Sequence, residues 1–307
     1  MKAIETKKLT KIYNNKEVVN NINLSIDEGK VFGFLGKNGA GKSTFINMIT
    51  DLCRPTRGEY QLNVSRGKRD IGVLPDYSSF YDNLTGEAHL KYFCNILKIK
   101  ITKKEISNLF DSVGLSDGLN LKVKKYSFGM KKKLGIAQAV VNKPKVLFLD
   151  EPTSGVDANS ILTIHNLIID IAKKGTTVFL TSHNLDEIEK LCDEIAIMDN
   201  GKIIKQGNVE KLKKDYEDNL SISIKHREIN QSERELLLKE IQNSKFDTSN
   251  FEFQKNITHI DVSNENNIPL LIKIFVTLNI DIYGVNTYEP SLEEIFINSS
   301  SNSIDRL

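Results

Sequence analysis

The chain has 307 residues, of which 39% are hydrophobic and 27% are charged, a composition typical of globular domains rather than of a disordered chain. No run approaches the ~20 apolar residues that span a bilayer, and the first residues lack the apolar core of a signal peptide. We therefore expect neither an integral membrane protein nor secretion by that route. The three cysteines, Cys53, Cys94 and Cys192, are widely separated and typical of a reducing cytoplasm.

Charge is unevenly distributed along the chain. Residues 211–307 hold 11 basic and 16 acidic side chains, whereas residues 1–210 hold 31 basic and 24 acidic ones. The basic residues are scattered, which favours a solvated surface over a nucleic-acid interface. The change near residue 210 predicts a first domain of residues 1–210, a second of residues 211–298 and a flexible tail of residues 299–307.

The predicted elements of the first domain alternate between strands and helices, as judged from hydrophobic periodicity and turn residues. In chain order they are two strands joined by a turn at Asn14-Asn15, a buried strand at residues 30–36, a helix from about Lys42 to Leu52, mostly helical residues 85–119 with Thr85 as a cap, a strand at 146–150, a helix at 159–175, a strand at 176–183, a helix at 184–192 and a hairpin turning at Asn200-Gly201. This alternation predicts an α/β core with a mainly parallel sheet.

The pattern changes after Lys214. The elements predicted there are a strand at 219–226, a helix at 233–242, a strand or hairpin at 251–262, a helix at 268–279, a strand at 281–288 and a short helix capped by Ser291. They form a small α+β domain of about 90 residues, which is large enough to bury a core of its own. No catalytic constellation is visible in this domain, so we expect a structural role for it.

The strongest local signal is the segment Gly36-Lys37-Asn38-Gly39-Ala40-Gly41-Lys42-Ser43-Thr44, which matches G-x-x-x-x-G-K-[ST] between a predicted strand and a predicted helix. Its glycines let backbone N–H groups approach phosphate oxygens, and the helix N-terminus adds a favourable partial positive charge. We expect Lys42 to reach the β- and γ-phosphates, Ser43 to ligate Mg²⁺ and Thr44 to contact phosphate. The alternative, a glycine-rich turn without a ligand, fits this context poorly.

A second signal follows the strand at residues 146–150. Asp150 and Glu151 emerge at its carboxyl end, where open α/β sheets bind ligands. Asp150 is placed to hold Mg²⁺ through water, and Glu151 to orient or deprotonate the attacking water. On their own, two acids at a strand end are equally consistent with a structural role. With the glycine-rich loop upstream, they predict a nucleotide-hydrolysing site.

With these residues the chain resembles the nucleotide-binding subunits of ABC transporters. Three further motifs carry the resemblance: the signature segment Tyr126-Ser127-Phe128-Gly129-Met130-Lys131, the D-loop Ser154-Gly155-Val156-Asp157 and the switch histidine His183. The resemblance implies that Ser127 and Gly129 contact the γ-phosphate bound by the opposite subunit, that His183 senses it, and that Tyr13 stacks on adenine. The implied nucleotide-binding residues are Tyr13, Gly36, Asn38, Gly39, Ala40, Gly41, Lys42, Ser43, Thr44, Ser127, Gly129 and Asp157.

Two features of the sequence favour one branch of the family. The signature segment has Phe128 and Met130 where the common form has Gly and Gln, which resembles drug and bacteriocin exporters. The segment at residues 288–296, YEPSLEEIF, resembles the ending of drug-resistance-type export ATPases. Both features disfavour an import ATPase.

A further departure from the common family pattern concerns the mechanism. Asp76 stands where the family has a glutamine that touches Mg²⁺ and the attacking water; lantibiotic-type exporters resemble this chain in carrying an acid there, usually Glu. An acid at this place adds charge beside Asp150 and Glu151, so it could bind Mg²⁺ or raise the pKa of a neighbouring carboxylate. Our hypothesis is that Asp76, as a catalytic residue and metal ligand, tunes hydrolysis or its coupling to transport. The alternative is neutral drift in a loop.

The resemblance implies a P-loop NTPase fold, namely an ABC-type nucleotide-binding domain with a helical subdomain at about residues 77–140, followed by the small α+β domain. It implies ATP and Mg²⁺ as cofactors and a head-to-tail dimer with a second copy or a paralogous ABC ATPase. It also implies a separate polytopic membrane permease as a partner and a peripheral location of this chain at the cytoplasmic face of the cell membrane. The expected function is export of an amphipathic peptide, bacteriocin or drug.

Two other functions remain open at this point. A non-transport ABC ATPase acting on ribosomes or nucleic acid is disfavoured, because such proteins usually carry two P-loops or long inserted coiled coils and this chain has neither. No nucleic-acid partner is therefore expected. A regulatory or sensor ABC ATPase rests only on Asp76.

Overall fold

The computed structural model describes residues 1–214, 220–243, 248–262 and 265–288. The chain forms two compact units, Met1–Val209 and Glu210–Leu307. The predicted last helix, which begins at Ser291, and the tail at residues 299–307 lie outside the described residues, as does most of the YEPSLEEIF segment. Among the residues that the structure describes, no helix has the length and apolarity to cross a bilayer.

The first unit is built on a mainly parallel sheet, as predicted. Its elements are, in chain order, β1 (Lys2–Tyr13), β2 (Lys16–Asp27), β3 (Val31–Leu35), α1 (Lys42–Ile49), β4 (Arg57–Leu62), β5 (Ile71–Leu74), α2 (Gly86–Ile96), α3 (Lys103–Ser112), α4 (Phe128–Val140), β6 (Val146–Asp150), α5 (Ala158–Lys173), β7 (Thr177–Ser182), α6 (Leu185–Leu191), β8 (Glu194–Asp199) and β9 (Lys202–Asn208), with α7 (Val209–Lys214) at the boundary. The main sheet has the order β5-β6-β7-β3-β8-β9, and only its β8–β9 pair is antiparallel. A separate antiparallel sheet has the order β2-β1-β4.

An aromatic cluster lies at the centre of the main sheet. Strands β3, β6 and β7 are buried at every residue, which is typical of parallel strands covered on both faces. The rings of Phe32, Phe34, Phe45 and Phe148 have their centroids 5.5–5.7 Å from that of Phe179 in β7. Because Phe34 precedes the glycine-rich loop and Phe45 follows it, the cluster anchors both ends of that loop.

Both predicted hairpin turns of the first unit are confirmed. Asn14 and Asn15 separate β1 from β2 with φ of 46° and 63°, and Asn200 and Gly201 separate β8 from β9 with φ of 44° and 81°. Two consecutive residues with positive φ form a hairpin turn whose backbone twist matches that of the flanking strands. Asn and Gly adopt positive φ at low cost.

The structure corrects the helix predictions in two places. Helix α1 ends at Ile49 rather than near Leu52, because Asp51 takes a φ of 63° that a helix does not allow. The mostly helical residues 85–119 divide into α2 and α3, with Lys98 at a φ of 56° between them. Thr85 caps α2 as predicted, since its hydroxyl accepts a hydrogen bond from the N–H of Ala88 at 3.2 Å.

The second unit has the predicted α+β composition. Its elements are β10 (Leu220–His226), α8 (Gln231–Asn243), β11 (Thr248–Phe253), β12 (Ile257–Val262), α9 (Ile268–Thr277) and β13 (Ile282–Tyr288). The strands form an antiparallel sheet with the order β11-β12-β10-β13, the ferredoxin-like arrangement. The residues at 251–262 thus belong to a hairpin. Ile222, Ile260, Leu237 and Phe275 are buried in one core between sheet and helices.

The aromatic cluster generates a stability prediction. Replacing Phe179 with Ala removes the ring that all four neighbours share, and we expect it to lower the free energy of unfolding by about 3–5 kcal/mol. The matched control is Leu162→Ala, because Leu162 lies in α5 with 63% of its surface exposed. That control should change stability by less than about 0.5 kcal/mol. Denaturant unfolding monitored by circular dichroism measures both, and equal losses would contradict the cluster's role.

Candidate nucleotide-binding and hydrolysis site

The predicted site residues that follow β3, β6 and β7 lie at one edge of the main sheet. Strands β6, β7 and β3 are adjacent and parallel, so the residues that follow them lie side by side at the carboxyl edge. Gly36 follows β3, Glu151 follows β6, and His183 follows β7. Segments that are far apart in the sequence therefore contribute to a single site.

The glycine-rich loop is shaped by close backbone approaches. A Cβ on Gly36 would lie 2.4 Å from the carbonyl oxygen of Met198, and one on Gly41 would lie 2.4 Å from that of Val18. Gly41 also has a φ of 110°, which only glycine adopts readily. Ala40 is buried, Thr44 is half-buried, and the other positions at the rim are exposed: Lys37, Asn38, Gly39 and Ser43.

Lys42 is the buried cation of the loop. Its side chain is 6% exposed, and its Nζ donates a hydrogen bond to the carbonyl oxygen of Gly36 at 2.6 Å. The same Nζ lies 3.3 Å from Oε1 of Glu151. The loop thus holds its lysine against the sheet edge, beside the predicted catalytic acid.

Glu151 joins the lysine to the switch histidine. Glu151 is 9% exposed, and its Oε2 lies 2.8 Å from Nδ1 of His183. A carboxylate only accepts hydrogen bonds, so Nδ1 of the ring donates here. Oε1 is buried and has no hydrogen-bond partner among the described residues, although Lys42 neutralises its charge. This oxygen is available to accept a proton or a hydrogen bond from a bound molecule.

Thr181 positions both acids, a role that the sequence analysis missed. Its hydroxyl donates to Oδ1 of Asp150 at 2.5 Å and accepts from the N–H of Glu151 at 3.0 Å. Glu151 has a φ of 50°, a left-handed conformation that a non-glycine residue keeps only when its surroundings hold it. The signal in the sequence was a hydroxyl inside a buried strand, two residues before His183.

Lys132 is a second buried cation that the sequence analysis did not identify. It lies in α4 with a 6% exposed side chain, and its Nζ donates to the carbonyl oxygens of Glu151 at 2.8 Å and Asp76 at 3.1 Å. Its Nζ also lies 3.6 Å from Oδ1 of Asp76. Burial lowers the pKa of Lys132, and the charges of Asp76, Asp150 and Glu151 oppose that shift. The carboxylate of Asp76 therefore faces an ammonium group.

The signature and D-loop residues lie at helix starts. Ser127 is exposed and caps α4, accepting a hydrogen bond from the N–H of Met130 at 3.2 Å. A Cβ on Gly129 would lie 2.9 Å from Oγ of Ser160, so α4 packs closely on α5. Asp157 caps α5 and accepts from the N–H of Ser160 at 3.0 Å, which lowers its pKa. Their contacts with a nucleotide stay predictions.

Tyr13 ends β1 with a ring that is 47% exposed. Its hydroxyl lies 3.2 Å from Sγ of Cys53, and this hydrogen bond raises the pKa of Tyr13. Nζ of Lys11 lies 4.8 Å from the ring centroid. The ring therefore has accessible surface on which a base can stack, and that role stays a prediction.

The fold and the site define a P-loop nucleoside triphosphatase: a glycine-rich loop between a strand and a helix, a buried lysine, and acids at the end of a neighbouring strand. The ABC transporter family model matches residues 19–154. The bacitracin transport ATP-binding protein of Bacillus licheniformis is 33% identical over 302 residues, covering 96% of each chain. The daunorubicin/doxorubicin resistance ATP-binding protein of Streptomyces peucetius is 35% identical over 246 residues, covering 77% of this chain and 74% of the relative.

A solved structure has the same fold. The ATP-binding subunit of an ABC transporter superposes with a TM-score of 0.62 at 27% identity, covering 70% of this chain and 93% of that one. The chain belongs to the ABC transporter family, and it is an ATP-binding subunit with ATPase activity. The predicted family, fold and exporter ATPase class are confirmed, and the ribosome or nucleic-acid alternative is not favoured.

The Thr181 contacts generate a kinetic prediction. Thr181→Val keeps the shape of the side chain but removes both hydrogen bonds, which are worth about 1–3 kcal/mol when the partners are buried. We expect kcat for ATP hydrolysis to fall by about tenfold or more. Thr181→Ser retains the hydroxyl and should stay within about threefold of the wild-type rate. Steady-state phosphate release measures the rates, and a fully active Thr181→Val enzyme would refute this positioning role.

Proposed function

We propose that this subunit hydrolyses ATP with Glu151 as the residue that orients or deprotonates the attacking water. The carboxylate is buried, its Oε1 has no hydrogen-bond partner among the described residues, and Lys42 and His183 contact it from either side. These contacts support a catalytic role for Glu151. Lys42 neutralises phosphate charge, and His183 hydrogen-bonds the γ-phosphate.

Mg²⁺ fits the residues at this edge. The donor set is the exposed hydroxyl of Ser43 and the carboxylate of Asp150, and hard oxygen ligands of this kind suit Mg²⁺, which also binds nucleotide phosphates and water. The third predicted ligand, Asp76, faces the ammonium group of Lys132 in this structure. The ion would supply charge neutralisation on the phosphate oxygens. Thr181 holds the Asp150 carboxylate in place for that role.

The active assembly is a head-to-tail dimer of two copies. One chain carries one glycine-rich loop and one signature segment, and the family pattern pairs each loop with the opposite subunit's signature segment. Ser127 is exposed at the N-terminus of α4, where helix N–H groups and the positive end of the helix dipole favour phosphate. A paralogous ABC ATPase is the alternative partner. Residues 1–210 form the catalytic domain, and residues 211–298 form an accessory domain with a structural role.

The transported cargo is an amphipathic peptide, a bacteriocin or a drug. The support is the likeness over almost the whole chain to a bacitracin transport protein, together with the likeness to a daunorubicin/doxorubicin resistance protein. A separate polytopic permease provides the membrane pathway, and this subunit binds it at the cytoplasmic face of the membrane. ATP binding and hydrolysis change the relative stability of the closed and open dimer, which drives the permease.

The dimer proposal is tested with Glu151→Gln, which removes the base but keeps the shape of the side chain. With ATP and Mg²⁺ this variant should sediment at twice the 34.7 kDa of one chain, and without ATP as a monomer. The control Glu151→Gln/Ser127→Arg should bind ATP but stay monomeric, because the added side chain fills the space of the partner's phosphate. Glu151→Gln that binds ATP and remains a monomer would overturn the homodimer.

The permease proposal is tested by purifying tagged Glu151→Gln from its native cells in detergent with ATP. We expect a polytopic membrane protein to co-purify. If ATP increases the amount recovered, Lys42→Ala, which lacks the phosphate-binding lysine, should not show that increase. Recovery of ribosomes, nucleic acid or soluble proteins alone would contradict a transport role.

A further inference from the structure

We propose that Lys132 is a positioning residue for ATP hydrolysis, and that Asp76 acts as its counter-charge. The ammonium group of Lys132, which lies in α4, contacts two other segments. One contact is with Asp76, which follows Leu74 and Pro75 after the end of β5, and the other is with Glu151, the residue after β6. The inference rests on the proposed role of Glu151 and assigns a supporting residue to that site.

Lys132 has the surroundings of a buried, hydrogen-bonded group rather than those of a surface lysine. Its side chain is 6% exposed, and it lies in a helix whose neighbouring residues Leu134, Ile136 and Ala137 are buried. Burying an ammonium group costs several kcal/mol unless oxygens surround it. Here the carbonyl oxygens of Glu151 and Asp76 accept two of its hydrogen bonds, and the Asp76 carboxylate balances its charge.

The contact with Glu151 links Lys132 to catalysis. The carbonyl oxygen that accepts from Lys132 at 2.8 Å belongs to the residue whose carboxylate contacts Lys42 and His183. Because Glu151 has a left-handed φ of 50°, its backbone needs external contacts to stay in place. Lys132 supplies one at the carbonyl, and its loss should displace the carboxylate from the reacting water.

The negative charge of Asp76 is balanced by Lys132. Without Lys132, the carboxylate of Asp76, whose side chain is 33% exposed, would lose the cation that faces it at 3.6 Å, which disfavours the native arrangement of the segment. Removing both charges removes that penalty. The two residues should therefore be strongly coupled, with an effect of the double variant that is smaller than the sum of the single effects.

The test is a double-mutant cycle on the full chain with ATP and Mg²⁺, using Lys132→Met, Asp76→Asn and the double variant. We expect Lys132→Met to lower kcat by about tenfold or more while KM for ATP stays within about twofold, since the phosphate-binding loop is untouched. Lys132→Arg retains the cation and should recover most of the activity. The double variant should be more active than Lys132→Met alone, which a merely structural lysine would not produce.

The control is Lys133→Met, because Lys133 is the next residue of α4 and its Nζ contacts the carbonyl oxygen of Gly114 away from the site. It should leave kcat unchanged. Additive effects of Lys132→Met and Asp76→Asn, or an unaltered kcat in Lys132→Met, would overturn the proposal. If Lys132→Met does not fold, the same cycle with Lys132→Gln decides between these outcomes. Wild type and Glu151→Gln are assayed alongside: an equal rate for those two would reject the proposed role of Glu151 itself.

Discussion

The buried carboxylate of Glu151 is the constraint on which the site depends. A charge that is 9% exposed is tolerated only when cations and hydrogen-bond donors surround it, and here they come from distant parts of the sequence. Lys42 arrives from the glycine-rich loop at the start of α1, and His183 from the end of β7. The parallel order β6-β7-β3 brings these segments to one edge, and the aromatic cluster around Phe179 fixes the loop beneath them.

The main chain of the same residue is held as firmly as its side chain. The N–H of Glu151 donates to Thr181, and its carbonyl oxygen accepts from Lys132. Four different side chains thus contact one residue whose φ lies in the left-handed region. Contacts from several side chains keep an unfavourable backbone conformation populated. Through Lys132, Glu151 is also connected to α4, which carries the signature segment at its start.

The sequence was sufficient to predict the parts of the fold that rest on local pattern. The strand at residues 146–150 is apolar without interruption, and the spacing of Gly36, Gly41 and Lys42 is specific for one loop geometry. Strand β4, in contrast, went unpredicted although Tyr60 and Leu62 alternate with polar residues and pack against the core, because so short an alternation of half-buried residues is a weak strand signal. The break between α2 and α3 combines a positive φ at Lys98 with a new helix start, at which Thr102 and Glu105 form a capping box.

The supporting residues of the site were beyond sequence reasoning for a different reason. Lys132 stands in a run of three lysines that is typical of a solvated helix face, and only packing of α4 on the sheet buries the middle one. Thr181 is an ordinary strand residue until β7 lies beside β6, because its hydroxyl then reaches two consecutive acids. Asp76 was singled out as a departure from the family, but its partner is set by tertiary structure.

The most direct test of this account is an experimental structure of the chain with a non-hydrolysable ATP analogue and Mg²⁺. We expect two copies in which Nζ of Lys42 binds phosphate oxygens, the Glu151 carboxylate faces the γ-phosphate, and Ser127 of the second copy contacts the same phosphate. Lys132 should keep its contacts with Asp76 and the Glu151 carbonyl. A nucleotide bound away from the Glu151 carboxylate, or one that Lys42 does not contact, would contradict the proposed catalytic role of Glu151.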